Sequence, residues 1–210
     1  MSFTSFTFHK LKKKVAAVVG RTADWALFLG IVLIGGVGSS WYMVDAGSSL
    51  TTTTVGSWTT WPSAARSDAD PYTRAHYARL GLLPLSTEYA QTFVARTDSE
   101  GRGLHSSCDY VIEGRELGGY WWSLSAFDAK GRLIPSVTDR HTYTRDTTAL
   151  NPDGTFKVSL SRDPESGNWL PVGGGGRLAL VYTVIDLGVR AVSQDGEVEK
   201  NLPVIKRKSC

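Results

Sequence analysis

Between Asp24 and Asp45 the chain carries no charged side chain, and that run limits what its N-terminal part can become. Residues 25–44 read Trp-Ala-Leu-Phe-Leu-Gly-Ile-Val-Leu-Ile-Gly-Gly-Val-Gly-Ser-Ser-Trp-Tyr-Met-Val. At a rise of about 1.5 Å per residue a helix of this run covers about 30 Å, the thickness of a bilayer's hydrocarbon core. Trp25 stands at one end and Trp41 with Tyr42 at the other, where amphipathic rings favour the headgroup level. A single transmembrane helix over 25–44 follows. Lys10, Lys12, Lys13, Lys14 and Arg21 precede it, whereas the first base after it is Arg66. By the positive-inside rule residues 1–24 form a basic cytoplasmic tail and the remainder is exported. A secretory signal cut after Ala46 is the competing reading, but the long basic region and long apolar run favour an anchor.

The whole chain of 210 residues has a formal net charge of +3. Through residue 44 it holds five bases against Asp24, so the rest carries about -1, and nucleic acid is not an expected partner. Membrane lipid is the expected partner of the tail, whose lysines suit anionic headgroups. Within the span, Gly35 with Ser39 and Gly36 with Ser40 place small residues four apart, a face on which a second helix can pack closely. The two cysteines, Cys108 and the C-terminal Cys210, allow one disulfide in an oxidising compartment, and two free thiols fit the sequence equally well.

Residues 45–70 are rich in Ser, Thr, Ala and Gly and read as a linker before a domain over 71–210. Asp70-Pro71 marks a helix N-cap followed by proline at the first helical position, with Gly81 near the stop. Beyond Tyr89 short runs alternate with turns: Asp98-Ser-Glu-Gly101, Ala129-Lys-Gly-Arg132 and Asn151-Pro-Asp-Gly154. Phe156, Val158 and Leu160 alternate with Lys157 and Ser159, which predicts a strand with one wet face, whereas the apolar run 178–185 predicts a strand buried on both faces. The expected fold is all-β, an antiparallel sandwich or partly closed barrel with one short helix.

Tyr110-Val-Ile-Glu-Gly114, Tyr120-Trp-Trp-Ser-Leu-Ser-Ala-Phe-Asp128, Asn151-Pro-Asp-Gly154, Asn168-Trp-Leu-Pro171 and Pro203-Val-Ile-Lys206 occur in that order. Over about residues 72–207 this resembles the bacterial family of domain of unknown function 1214, in a membrane-anchored short form. The resemblance implies a jelly-roll-like antiparallel β-sandwich and a partner carrying a second domain of unknown function, numbered 1254, here supplied by a separate envelope protein. It implies no catalytic residue and no cofactor.

His105-Ser-Ser-Cys108 offers a metal pair or a thiol with its base, but no second ligand pair stands at matching spacing, so no metal site is expected. The run 173–176 of four glycines lacks the Lys-Ser/Thr of a phosphate loop and reads as a hairpin loop. Glu113, Glu116, Asp128, Asp139, Asp153 and Asp163 fall mostly in turns, where Asp serves local hydrogen bonds. An aromatic and basic cluster remains: Trp121, Arg140, His141, Tyr143, Arg145 and Trp169. On a strand Trp122 joins Tyr120 and Leu124 on the core side and Trp121 faces the other way, so a shared concavity with His141 would suit a sugar ring or an anionic headgroup. The function expected is a non-enzymatic envelope protein that binds or assembles with another component. An enzyme acting on an envelope glycan or lipid is the alternative, and a non-catalytic glycan- or lipid-binding module the third reading.

Overall fold

A computed structural model describes residues 19–47, 49–116, 120–136, 138–174, 176–186 and 201–210. The lysines of the basic tail lie outside the described residues. The chain divides into two compact units, Met1–Gly47 and Ser48–Cys210.

The first unit's described part is one helix, α1, Val19–Ala46, long and apolar enough to cross a membrane, with none of its apolar window buried. Leu27, Ile31, Leu33, Ile34 and Val37 are all exposed along it. A helix that is apolar all round lacks the single stripe with which a surface helix packs on a core. It starts earlier than residue 25 because Arg21, Thr22 and Asp24 continue the helical turn beyond the apolar run. A π-helical stretch, Ile31–Val37, interrupts it. Gly35 and Gly36 lie in that wider turn, so their four-residue spacing to Ser39 and Ser40 is not the regular α-helical one. The Ser39 hydroxyl donates to the Gly36 carbonyl at 3.1 Å.

In the second unit the elements run β1 Thr53–Val55, β2 Trp58–Thr60, α2 Pro71–Leu80, β3 Ala90–Ala95, β4 Asp109–Arg115, β5 Tyr120–Asp128, β6 Thr142–Thr144, β7 Thr155–Ser161, β8 Asn168–Pro171, β9 Leu178–Asp186 and β10 Val204–Ser209. They form a six-stranded sheet in the order β1-β2-β3-β9-β5-β6 and a four-stranded sheet in the order β10-β4-β7-β8. Both contribute to one buried cluster, so the mostly β sandwich expected from the strand pattern is present. One pair, β7 with β8, is parallel, which makes the smaller sheet mixed.

Alternation on β5 sorts its side chains: Tyr120, Trp122, Leu124 and Ala126 are buried, while Trp121, Ser123 and Ser125 are half-buried on the other face. Trp122 crosses between the sheets to stack on Phe156 of β7, ring centroids 4.5 Å apart. That contact needs Gly114, the neighbour of Phe156 in the ladder, because a Cβ there would sit 2.5 Å from the ring's Cζ. α2 begins as its sequence signals require. The Asp70 carboxylate accepts from the backbone N–H groups of Tyr72 and Thr73, and Gly81 closes the helix at φ 65°.

Three expectations change. The linker reading of 45–70 fails over Thr53–Val55 and Trp58–Thr60, which form a hairpin joined to β3. Composition misled there: Thr is a good strand former, and Trp58 is buried with its indole N–H donating to the Pro203 carbonyl at 2.6 Å. β9 is central but buried on one face only; Leu178, Leu180, Tyr182 and Val184 point inward while Val181 and Ile185 are half-buried. The expected wet face of β7 is closed at Ser159 and Ser161, since β8 lies alongside with Trp169 paired to Ser159 and its indole N–H on the Ser161 carbonyl at 3.3 Å.

Two of the three turns read from sequence share one side-chain template. Asp98 and Asp128 each accept with Oδ1 from the backbone N–H groups two and four residues on and with Oδ2 from an arginine, Arg102 or Arg132, while Gly101 and Gly131 take φ 81° and 74°. In the third, Gly154 donates to the Asn151 carbonyl at 3.0 Å with φ 76°.

Tyr182 sits in the centre of the core, and its hydroxyl has no hydrogen-bond partner among the described residues. Burial pushes its phenol far above the usual range. Removing an unpaired buried hydroxyl while keeping the ring relieves a desolvation cost. Tyr182→Phe is therefore expected to unfold in denaturant at the wild-type midpoint or above it, by up to about 1 kcal/mol. A clear loss of stability would show that the hydroxyl is bonded after all.

Candidate functional site

The predicted cluster is split by the register of β5 and β6. Leu124 stands opposite Tyr143 and Ser123 opposite Thr144, so Tyr143 shares the inner face with Leu124 while Trp121 lies on the outer face. The single concavity expected from Trp121 and the His141 side does not form, because odd and even positions of one strand cannot share a face.

What the register does bring together is a seam between the two sheets' edge strands. The Tyr143 hydroxyl accepts from the Trp169 backbone N–H at 2.8 Å and from Arg140 Nη1 at 2.8 Å, and donates to the Trp169 carbonyl at 3.2 Å. One hydroxyl thus uses its donor and both acceptor sites and ties β6 to β8. The Arg140 guanidinium also lies 5.3 Å from the Tyr143 ring centroid. Arg145 donates to Glu116 Oε1 at 2.8 Å and to the Tyr120 carbonyl at 3.4 Å. His141 Nδ1 is 3.0 Å from the Ile134 carbonyl, and Trp121 donates to Asp146 Oδ2 at 2.9 Å. Tyr143 and Trp169 are buried, and every member of the cluster is engaged within the domain.

The carboxylates are placed for structure. Glu113 pairs with Lys206 and Glu116 with Arg145. Asp139 lies 3.5 Å from His141 Nε2, and the Asp163 carbonyl accepts from the Ser161 hydroxyl. The backbone N–H of Arg132 is the largest influence holding the Asp128 carboxyl below its usual range, and for Asp153 it is the Thr155 hydroxyl. A general acid needs the opposite shift. Among the described residues no group of three or more His, Cys, Asp or Glu side chains converges as metal ligands.

Cys108 and Cys210 are joined by a disulfide, which resolves the alternatives that the sequence left open. Cys108 therefore offers neither a thiol nucleophile nor a thiolate ligand, and His105 Nδ1 instead meets the Ser107 hydroxyl at 2.8 Å. The bridge fastens the end of β10 beside β4. A second fastening is Asp98, 1% exposed, whose Oδ2 meets Arg102 Nε at 3.0 Å and Arg207 Nε at 3.1 Å. Arg207 also donates to the Gly103 carbonyl at 2.8 Å and lies over the Tyr110 ring. Of the glycine run, Gly174 and Gly176 are held by the Ser106 hydroxyl at 2.9 and 3.0 Å, which makes it a stitched loop; Gly175 lies outside the described residues.

Two surface features escaped the sequence reading. One is a shallow depression of about 330 Å³ lined by Glu113, Arg115 and Lys157, with Gly114 and Phe156 among its walls. It spans two strands, so only the ladder register reveals it. The other is the outer face of the six-stranded sheet, where Thr54, Thr59, Val94, Val181, Ser125 and Thr142 form one row across all six strands. Thr92, Thr183, Ser123 and Thr144 form the next. Neither row contains a charge.

The family described as protein of unknown function (DUF1214) matches residues 89–186. Residues 89–186 are a DUF1214 region. The match takes in every quoted motif except Pro203-Val-Ile-Lys206, which lies beyond it. Among solved structures the VPA0106 protein from Vibrio parahaemolyticus is similar at 21% identity and TM-score 0.55, over 68% of this chain and 36% of that one. An uncharacterized protein from Burkholderia cenocepacia is similar at 19% identity and TM-score 0.42, over 70% of this chain and 46% of that one. The chain thus spans well under two thirds of either protein's length, and the first likeness speaks for the fold. No curated protein matches.

Two predictions follow from the seam and the C-terminal fastening. Tyr143→Phe strands both backbone groups of Trp169 and is expected to cost about 1–3 kcal/mol in denaturant unfolding. For Asp98, burial raises the carboxyl, but the N–H groups of Arg102 and Glu100 and the Arg102 guanidinium outweigh it, and the net shift is downward. A depressed folded value gives stability that is present above the unfolded carboxyl range of about 4 and lost as pH falls through the lower folded value. Asp98→Asn is accordingly expected to be destabilised at pH 7, with the gap to wild type closing on acidification below about pH 4.

Proposed function

We propose that this protein is a non-enzymatic, membrane-anchored envelope protein: α1 spans the bacterial inner membrane with its N-terminus in the cytoplasm, and the β-sandwich assembles with another envelope component in the periplasm. The observation that carries the reading is the charge-free outer face of the six-stranded sheet. A sheet face turned to water ordinarily carries polar and charged side chains, whereas the centres of protein interfaces are depleted of charge. Here two adjacent rows hold only Thr, Ser and Val. The disulfide supports an oxidising compartment for the domain, and α1 with the preceding bases supports the anchor and its direction.

The family resemblance makes a separate protein carrying domain of unknown function 1254 the first partner to seek, with the small-residue face of α1 as a second contact. The enzyme and ligand-binding readings have less support, because Trp121 lies on the outer face of the sheet and Tyr143 on the inner one.

In-cell crosslinking of the full chain followed by mass spectrometry tests the proposal. Wild type is expected to retrieve a defined membrane or periplasmic protein, and Thr183→Arg with Ser123→Arg, both at half-buried outer positions, is expected to lose it while keeping the unfolding midpoint. Retrieval of the same partner by that variant would remove the sheet face from the account.

A further inference from the structure

The segment that follows α2 exposes an unusual run of large apolar side chains. Leu80, Leu82, Leu83 and Leu85 are 55%, 54%, 99% and 60% exposed, and no charge occurs between Arg79 and Glu88. Tyr89 is 65% exposed and Leu50, from the start of the domain, 85%. The segment is held in place at both ends. Leu82 donates to the Tyr77 carbonyl at the helix end, Thr87 donates from its backbone to Ala64 and from its hydroxyl to Pro62, and Ala90 donates to Ser86. Soluble surfaces scatter single leucines; a fixed run of four leucines needs a partner.

The ladder shows at which end of the sandwich this segment lies. Ala90, at the start of β3, stands opposite Ile185, which stands opposite Trp121, whereas Asp128 stands opposite Leu178 at the other end of the same sheet. β1 runs away from the Ala90 end, since Thr53 pairs with Thr60 in the Phe93 row and Val55 with Trp58 in the Ala95 row. The chain arriving from α1 therefore enters the domain at the end that carries the leucines. From the end of α1 at Ala46 to the start of β1 at Thr53, a fully extended chain reaches at most about 25 Å. If α1 spans a bilayer, that tether keeps the start of β1 within about 25 Å of the helix end.

We propose that the 80–85 loop, with Leu50 and Tyr89, seats the tethered end of the domain in the headgroup region of the membrane that α1 spans. The ligand is the lipid surface, met by leucine side chains and a tyrosine ring as interfacial segments meet it. The proposal rests on α1 being a membrane span. It assigns the apolar end to lipid and leaves the charge-free sheet face, on a different side of the sandwich, for a protein.

The test uses the full chain in vesicles of phosphatidylethanolamine and phosphatidylglycerol. Both native cysteines are in the disulfide, so one introduced cysteine is the sole thiol and takes an environment-sensitive fluorophore. Leu83→Cys reports the leucine end and Lys130→Cys, on the turn after β5, the opposite end. The expected result is a blue-shifted label at 83 that nitroxide lipid quenches several-fold and aqueous iodide barely touches, with the reverse at 130. Adding Leu82→Glu and Leu85→Glu to the Leu83→Cys chain is expected to restore iodide quenching without moving the unfolding midpoint. Equal iodide quenching at 83 and 130, or a label at 83 hidden from both quenchers by a protein neighbour, would overturn the proposal. Release of the protein by alkaline carbonate would instead defeat the spanning reading itself, whereas an integral protein with a wet label at 83 would defeat the docking alone.

Discussion

A helix that is apolar on every side needs an apolar environment around it, and α1 is long and apolar enough to cross a membrane. The rest of the molecule answers to that constraint. If the helix is solvated by lipid, the domain after it is held within a short chain length of a membrane. Its apolar loop, its uncharged sheet face and its disulfide then acquire separate roles at a lipid surface, a protein surface and an oxidising compartment.

Inside the domain the sandwich is keyed by one inter-sheet contact, Trp122 on Phe156, which Gly114 makes possible by having no Cβ. Around that key the edges are closed by specific polar fastenings and not by apolar area. Tyr143 ties β6 to β8, and β10, which buries only Ile205 among its own residues, depends on Asp98, Arg207 and the Cys108–Cys210 bridge. An edge strand with so little buried surface would otherwise expose the β4 ladder for pairing with other chains.

Much of this was legible in the sequence wherever a local rule sufficed. The Asp70-Pro71 start, the Gly81 stop, the Asp-x-x-Gly turns and the inward facing of Trp122 all follow from single-residue stereochemistry. Long-range pairing is what local rules miss. Ser and Thr in 45–70 suit a linker and a strand alike, and only the contact of Trp58 with Pro203 decides between them. Trp121 and His141 look like neighbours in a pattern of aromatic and basic residues, yet the register of β5 on β6 sends Trp121 and Tyr143 to opposite faces. The charge-free rows are invisible to any window along the chain, because each row takes one residue from each strand.

The central claim, a lipid-anchored domain folded on the oxidising side of a membrane, is tested most directly by the state of Cys108 and Cys210 in the living cell. Intact cells expressing the full chain would be quenched with acid, and the protein alkylated under denaturing conditions before and after reduction. The account predicts no alkylation of either cysteine before reduction and complete alkylation of both after it. Two freely alkylated cysteines without reductant, in cells of normal redox balance, would contradict it.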